Sequence, residues 1–275
     1  MPFDEDAAHW AAGPALLFCP ADRPERFGKA FERADAVILD LEDAVAPAAK
    51  ASAREHVAAS TLDPAGVIVR VNAPDTDEFE RDLTMLQQSP FRTVMVAKTE
   101  DAASLDVFDD RFSLITLCET AKGISNARLI AAHPRVVAMM WGAEDLVASL
   151  GGTSSRKTNG RYRDVARYAR SQVLLEAGAH GKAAIDAVHI DIDDTKGLAQ
   201  EAADAAASGF SATACIHPNQ VSVIREAYQP DAKTTAWAHD VLAAAEGERG
   251  VFRFRGRMID EPVLRHARSV VAHSR

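Results

Sequence analysis

Short apolar runs alternate with Ala-rich amphipathic stretches along the whole chain. The apolar runs fall at 15–21, 36–42, 66–72, 93–99, 113–120, 136–144, 184–193 and 211–218. Each is short and several are rich in β-branched residues, which predicts strands buried on both faces. Between them, 23–33, 47–60, 77–88, 125–133, 162–179 and 197–208 carry helical spacing. Eight strands alternating with helices predict a parallel (β/α)8 TIM barrel. A doubly wound open sheet would use the same elements, but no Gly-x-Gly-x-x-Gly follows the first run. Beyond the eighth run come 221–228, a helical stretch at 234–247 and a tail with a helix at 262–273. The expected division is a catalytic barrel over 1–228 and a C-terminal helical extension over 229–275, serving as a lid or an oligomer arm.

In such a barrel, catalytic groups gather at the C-terminal ends of the strands. Glu119 and Asp145 each close an apolar run, where an unneutralised charge is costly. Two carboxylates completed by water and substrate oxygens make a Mg²⁺ site; the competing reading is a pair of helix-capping acids. The second run ends in three carboxylates, Asp40, Glu42 and Asp43. Alternation puts Asp40 and Glu42 on one face, with Glu42 the functional candidate, Asp40 a buried supporting acid and Asp43 a cap or loop residue. Arg70 lies inside a β-branched run and needs an anion, either a substrate carboxylate or the acids of the second run. Gly142 lets a substrate approach the backbone, and Glu144 is expected to point away from Asp145. Lys98 reads as an ion-pair partner for these carboxylates; the alternative is a Schiff-base nucleophile. Lys50 and Arg54 share a helical face near the barrel mouth and are candidates for binding a phosphate-bearing ligand. Arg163, Arg167 and Arg170 read as a solvated helix face, His189 as a core residue, and His217 as a residue positioning the last loop.

Composition narrows this picture. The chain has 275 residues, 47% hydrophobic and 26% charged, an ordinary globular mix. Its net charge of −9 argues against a nucleic-acid partner. No run is long enough to span a bilayer, and the acidic N-terminus is unlike a secretory signal. Cys19, Cys118 and Cys215 stand alone in three separate runs, as expected of buried thiols in a reducing cytoplasm.

Several segments taken together resemble one family. They are Phe18-Cys-Pro-Ala-Asp-Arg-Pro-Glu-Arg26, Val37-Ile-Leu-Asp-Leu-Glu-Asp-Ala-Val45, Arg70-Val-Asn72, Glu119-Thr-Ala-Lys-Gly123, Trp141-Gly-Ala-Glu-Asp-Leu146 and Ile216-His-Pro-Asn-Gln220. They are similar to the citrate lyase beta-subunit-like family, within the metal-dependent aldolase and malyl-CoA lyase superfamily, and to its stand-alone members. The resemblance runs over about residues 14–272. It implies a homotrimeric TIM barrel holding one Mg²⁺ per subunit at Glu119 and Asp145, with Arg70 on the substrate carboxylate. It also implies that Asp260, in Met258-Ile259-Asp260, reaches a neighbouring subunit's active site as the acid–base group. The activity implied is reversible cleavage of a malyl-CoA or citramalyl-CoA type 3-hydroxyacyl-CoA to acetyl-CoA and a 2-oxo acid. The alternatives are a citrate lyase beta subunit acting on citryl-acyl carrier protein, which is not favoured, and an aldolase acting on free 2-oxo acids.

Overall fold

Residues 12–248 and 250–274 are described in the computed structural model. They divide into two units, ending and beginning at Ile224 and Arg225.

The first unit is built on eight strands: β1 (Ala15–Pro20), β2 (Ala36–Asp40), β3 (Val67–Val71), β4 (Thr93–Val96), β5 (Ser113–Cys118), β6 (Val136–Trp141), β7 (Ala183–Asp186) and β8 (Ala212–Cys215). All neighbours pair in parallel, and β1 closes onto β8 with Ala15 opposite Thr213. The predicted barrel therefore forms. Helices between the strands cover it: α1 (Phe27–Arg33), α2 (Lys50–Ala58), α3 (Asp77–Gln88), α4 (Ala121–Ser125), α5 (Ala127–Ala131), α6 (Ala143–Ser149), α7 (Asp164–Ala179) and α8 (Thr195–Ser208), followed by α9 (Pro218–Tyr228). In α3, Phe79, Asp82, Met85 and Leu86 give one buried face, and the Thr76 hydroxyl caps its start by accepting from the Phe79 N–H.

Two-residue alternation fills the barrel. Leu16, Ile38, Ile68, Met95, Ile115, Leu117, Ala138, Met140, Ile185, Ala212 and Ala214 point into one apolar core. Every strand ends earlier than its apolar run. The predicted helix at 125–133 is two short ones, α4 and α5, interrupted at Asn126, whose amide donates to the Glu100 carbonyl.

The second unit contains α10 (Ala232–Ala245), a hairpin of β9 (Phe252–Phe254) and β10 (Arg257–Ile259), and α11 (Glu261–His273). Its core is Ala238, Val241, Ile259, Ala267 and Val270. No helix among the described residues is long and apolar enough to cross a membrane.

Candidate active site

The alternation that fills the barrel also builds the site. One further step along the inward rows leads from Ile38 to Asp40, from Ile68 to Arg70, from Leu117 to Glu119, from Met140 to Gly142 and from Ala214 to Ile216. All five of these residues line one cavity of about 300 Å³ at the C-terminal ends of the strands. Phe18, Leu117, Met140, Val188 and Ile216 form its apolar wall, and Asp43, Glu144 and Asp145 share its polar rim.

Arg70 is held from behind. Its Nε and Nη2 donate to Asp40 at 2.7 and 2.6 Å, Nη1 lies 3.1 Å from Glu42, and the guanidinium sits 4.8 Å over the Phe18 ring. Burial disfavours its charge, but Asp40 and Glu42 outweigh burial and hold its pKa above the ordinary value. Asp40, 1% exposed, also accepts from the Glu42 N–H at 2.9 Å. Of the two anions considered for Arg70, the internal one is therefore present. Asp40 takes the Nε N–H and one Nη2 N–H and Glu42 lies against Nη1, so a further anion would share the terminal nitrogens with Glu42.

Glu119 is 2% exposed and lies on the strand end beside Gly142. A Cβ at residue 142 would sit 2.7 Å from Glu119 Oε2, so only glycine lets this carboxylate lie against the backbone. The Lys98 N–H donates to Glu119 Oε1 at 3.0 Å. Burial first, and the nearby Asp145 charge second, push the Glu119 pKa from an ordinary 4.5 up to about 8. A buried carboxylate that a second carboxylate repels is a site that favours a cation. Two oxygen-donating carboxylates with room for substrate and water suit Mg²⁺, so the residues present fit that ion. Among the described residues no group of three or more His, Cys, Asp and Glu side chains is arranged around a metal position.

The structure corrects the expected orientation of Glu144. Strand β6 stops at Trp141, and Glu144 and Asp145 both lie in the first turn of α6. Helical geometry thus replaces strand alternation, and both residues line the cavity. The Ser155 hydroxyl donates to Glu144 at 2.5 Å.

Lys98 spans the mouth. Its ammonium contacts Glu42, lies 2.9 Å from Asp43 Oδ2 and 3.7 Å from Asp145 Oδ1. Burial lowers its pKa, but the bonds to Glu42 and Asp43 overcome that and raise it. An amine held charged is a poor Schiff-base nucleophile, so the ion-pair reading stands.

The two cations expected near a cofactor phosphate have internal partners instead. Lys50 Nζ donates to the Leu41 and Glu42 carbonyls at 2.8 and 2.9 Å and to Asn72 Oδ1 at 2.6 Å. Arg54 pairs with Glu78 at 2.6 Å and with the buried Asp82 at 3.1 Å. Neither lines the cavity. In the second unit, Asp260 caps α11 by accepting from the Val263 N–H at 3.3 Å.

Other residues escaped the sequence. Arg170 leaves the expected solvated face and grips buried Asp186, with Nη2 2.9 Å from Oδ2, and also Asp204 at 2.7 Å. The Trp141 indole donates to Asp186 at 2.6 Å. His189 lies in the loop beyond β7, not on the strand, but is buried as expected. The last loop is set by Gln220 more than by His217. Its Oε1 accepts from the Ile216 and His217 N–H groups at 3.0 and 3.1 Å, and its amide donates to the His189 carbonyl at 2.8 Å. The apolar wall was legible only as core, because nothing in a hydrophobic run marks which residue faces a cavity.

Comparison with known proteins places this geometry in a wider set. The profile of the HpcH/HpaI aldolase/citrate lyase family matches residues 15–218. A citrate lyase subunit beta-like protein of Mycobacterium tuberculosis is 54% identical over 261 residues, 95% of each chain. The human mitochondrial citramalyl-CoA lyase is 33% identical over 290 residues, 94% of this chain and 84% of that protein. The crystal structure of CitE from Mycobacterium tuberculosis, in complex with magnesium, acetoacetate and coenzyme A, aligns with a TM-score of 0.91 at 53% identity. That alignment covers 96% of this chain and 98% of that one.

Proposed function

The chain belongs to the HpcH/HpaI aldolase/citrate lyase family and is a carbon–carbon lyase, and from that premise we propose its substrate and chemistry. The substrate is a short 3-hydroxyacyl-CoA bearing a carboxylate, of the malyl-CoA or citramalyl-CoA type. The products are acetyl-CoA and a 2-oxo acid, and the reaction is reversible. The observation that carries this reading is the placement of Glu119, Asp145 and Arg70 around one small cavity.

Glu119 and Asp145 are the residues that would hold Mg²⁺, which supplies a Lewis acid for charge developing on a substrate oxygen. The complex of the related CitE with magnesium, acetoacetate and coenzyme A supports magnesium as the ion. The terminal nitrogens of Arg70, with Nη1 shared with Glu42, bind the substrate carboxylate and fix the orientation of the bond to be broken. Glu42, against that same Nη1, tunes Arg70. In cleavage, the substrate hydroxyl gives its proton to solvent water and the bond from the carbinol carbon to the thioester α-carbon breaks. The electron pair passes to that α-carbon, which takes up a proton. We assign its delivery to Asp260 of a neighbouring copy in a homotrimer. In the condensation direction the same carboxylate removes the methyl proton of acetyl-CoA.

A role for Lys50 and Arg54 toward the phosphates of coenzyme A requires each to exchange an internal partner for phosphate. Placement in the cytoplasm belongs to the same proposal, and three buried cysteines on separate strands support it. The name of the 54% identical relative favours a second reading, a citrate lyase beta subunit acting on citryl-acyl carrier protein. Glu119→Ala and Asp145→Ala test the metal assignment: each should abolish Mg²⁺-dependent cleavage of malyl-CoA or citramalyl-CoA. Full activity in either variant would refute it. Cleavage of citryl-acyl carrier protein alone would favour the second reading.

A further inference from the structure

Among the described barrel residues, Lys98 is the only non-glycine with a left-handed backbone, at φ 46°. Such a conformation is uncommon for a residue with a Cβ and persists only where its surroundings enforce it. Here it lets one residue serve four carboxylates. The N–H is turned onto Glu119 Oε1 at 3.0 Å. The ammonium crosses to Glu42 and Asp43 and ends 3.7 Å from Asp145 Oδ1. Two of these four acids are the proposed metal ligands. Lys98 itself does not line the cavity, so whatever it does there is done through the carboxylates.

Resting on the metal reading above, we propose that Lys98 is a positioning residue acting as the site's own counter-cation. It holds the acidic mouth together and yields Asp145 to the divalent ion when that ion binds. The contacts are graded in the way this requires. Glu42 is nearly buried and tightly paired, while the Asp145 side chain is 38% exposed and lies at the longest of the three ammonium distances. Giving up Asp145 leaves the ammonium still bonded to Glu42 and Asp43. Glu42, 3.1 Å from Arg70 Nη1, then keeps its place beside the substrate-binding guanidinium.

A purely structural ion pair and a resident counter-cation make opposite predictions for metal affinity. Removing a structural pair disorders the ligands and weakens binding. Removing a resident counter-cation takes away a competitor for Asp145 and a like charge, and so tightens binding. Even at the dielectric of water, a monovalent and a divalent cation sharing one carboxylate repel by an amount worth about tenfold in affinity.

The experiment is Mg²⁺ titration by calorimetry on the full-length protein without substrate, with thermal melts as the check on folding. Lys98→Met should bind Mg²⁺ roughly tenfold more tightly than wild type, and Lys98→Arg, which keeps the charge, should stay within about threefold. Unchanged or weaker binding in a folded Lys98→Met protein would overturn the proposal while leaving the metal reading intact. Lys98→Gln serves as a second neutral variant, and failure of both neutral variants to fold would show a structural role and overturn the proposal as well. Absence of Mg²⁺ binding to the wild type would overturn the metal reading and this proposal together.

Discussion

Replacing Glu119 by Gln should stabilise the metal-free protein in alkaline solution while removing its response to Mg²⁺. The side chain is 2% exposed, and burial together with the Asp145 charge raises its pKa from 4.5 to about 8. That difference amounts to about 5 kcal/mol between its charged and neutral forms. The sign follows from proton counting. Between these two pKa values the folded protein holds a proton that the unfolded chain has lost, so stability falls as pH rises through that window. From pH 6 to pH 9 this one carboxyl costs the folded state roughly 2–3 kcal/mol, or roughly 5–10 °C in Tm for a chain of this size. The substituted amide carries no charge, keeps the shape, and can still accept from the Lys98 N–H, so the variant should lose none of that stability. The assay is a set of thermal melts of both proteins from pH 6 to pH 9, with EDTA and with Mg²⁺. In EDTA the two curves should diverge as pH rises, the variant being the more stable. With Mg²⁺ the wild type should recover and the variant should not. Parallel curves in EDTA would refute the account of Glu119 as a buried, cation-seeking carboxylate.

Other perturbations test separate parts of the site. Gly142→Ala places a Cβ 2.7 Å from Glu119 Oε2 without any positive-φ strain, so calorimetry should show Mg²⁺ affinity falling at least about tenfold. Unchanged affinity would mean that Glu119 need not sit where it does. Arg70→Met leaves the buried Asp40 unpaired, which should lower stability by about 3–5 kcal/mol in denaturant titrations and lower kcat/KM at least a hundredfold. Asp260→Asn retains a side chain able to cap α11. It should therefore melt like the wild type and bind 2-oxo acid normally while losing turnover, and a variant with full kcat would remove Asp260 from the chemistry.

The reach of the sequence can be judged residue by residue. The barrel was legible because eight apolar runs alternate with helical spacing, and because barrel cores depend on little else. Glu119, Asp145 and Gly142 stand out in the sequence because a polar residue or a glycine closing an apolar run has few other uses, and Arg70 because a guanidinium inside a β-branched run needs an anion. The apolar runs are longer than the strands because hydrophobicity outlasts backbone pairing. For the same reason Glu144 was placed by strand alternation when it already belongs to a helix. Lys50 and Arg54 show the limit for surface-like cations. Their spacing locates them near the mouth, but Asn72, Glu78 and Asp82, which occupy them, come from other segments. Arg170 shows the same limit, since its partner Asp186 closes β7, well before the apolar run around it ends. The backbone conformation of Lys98 left no trace in the sequence.

The most direct test of the central claim is a cleavage assay on malyl-CoA and citramalyl-CoA with Mg²⁺ and with EDTA, following 2-oxo acid and free thiol separately. 2-Oxo acid should appear with Mg²⁺, be abolished by EDTA, and be released without matching free thiol, because the thioester survives as acetyl-CoA. Release of 2-oxo acid that persists in EDTA, or no release from either substrate, would contradict that claim.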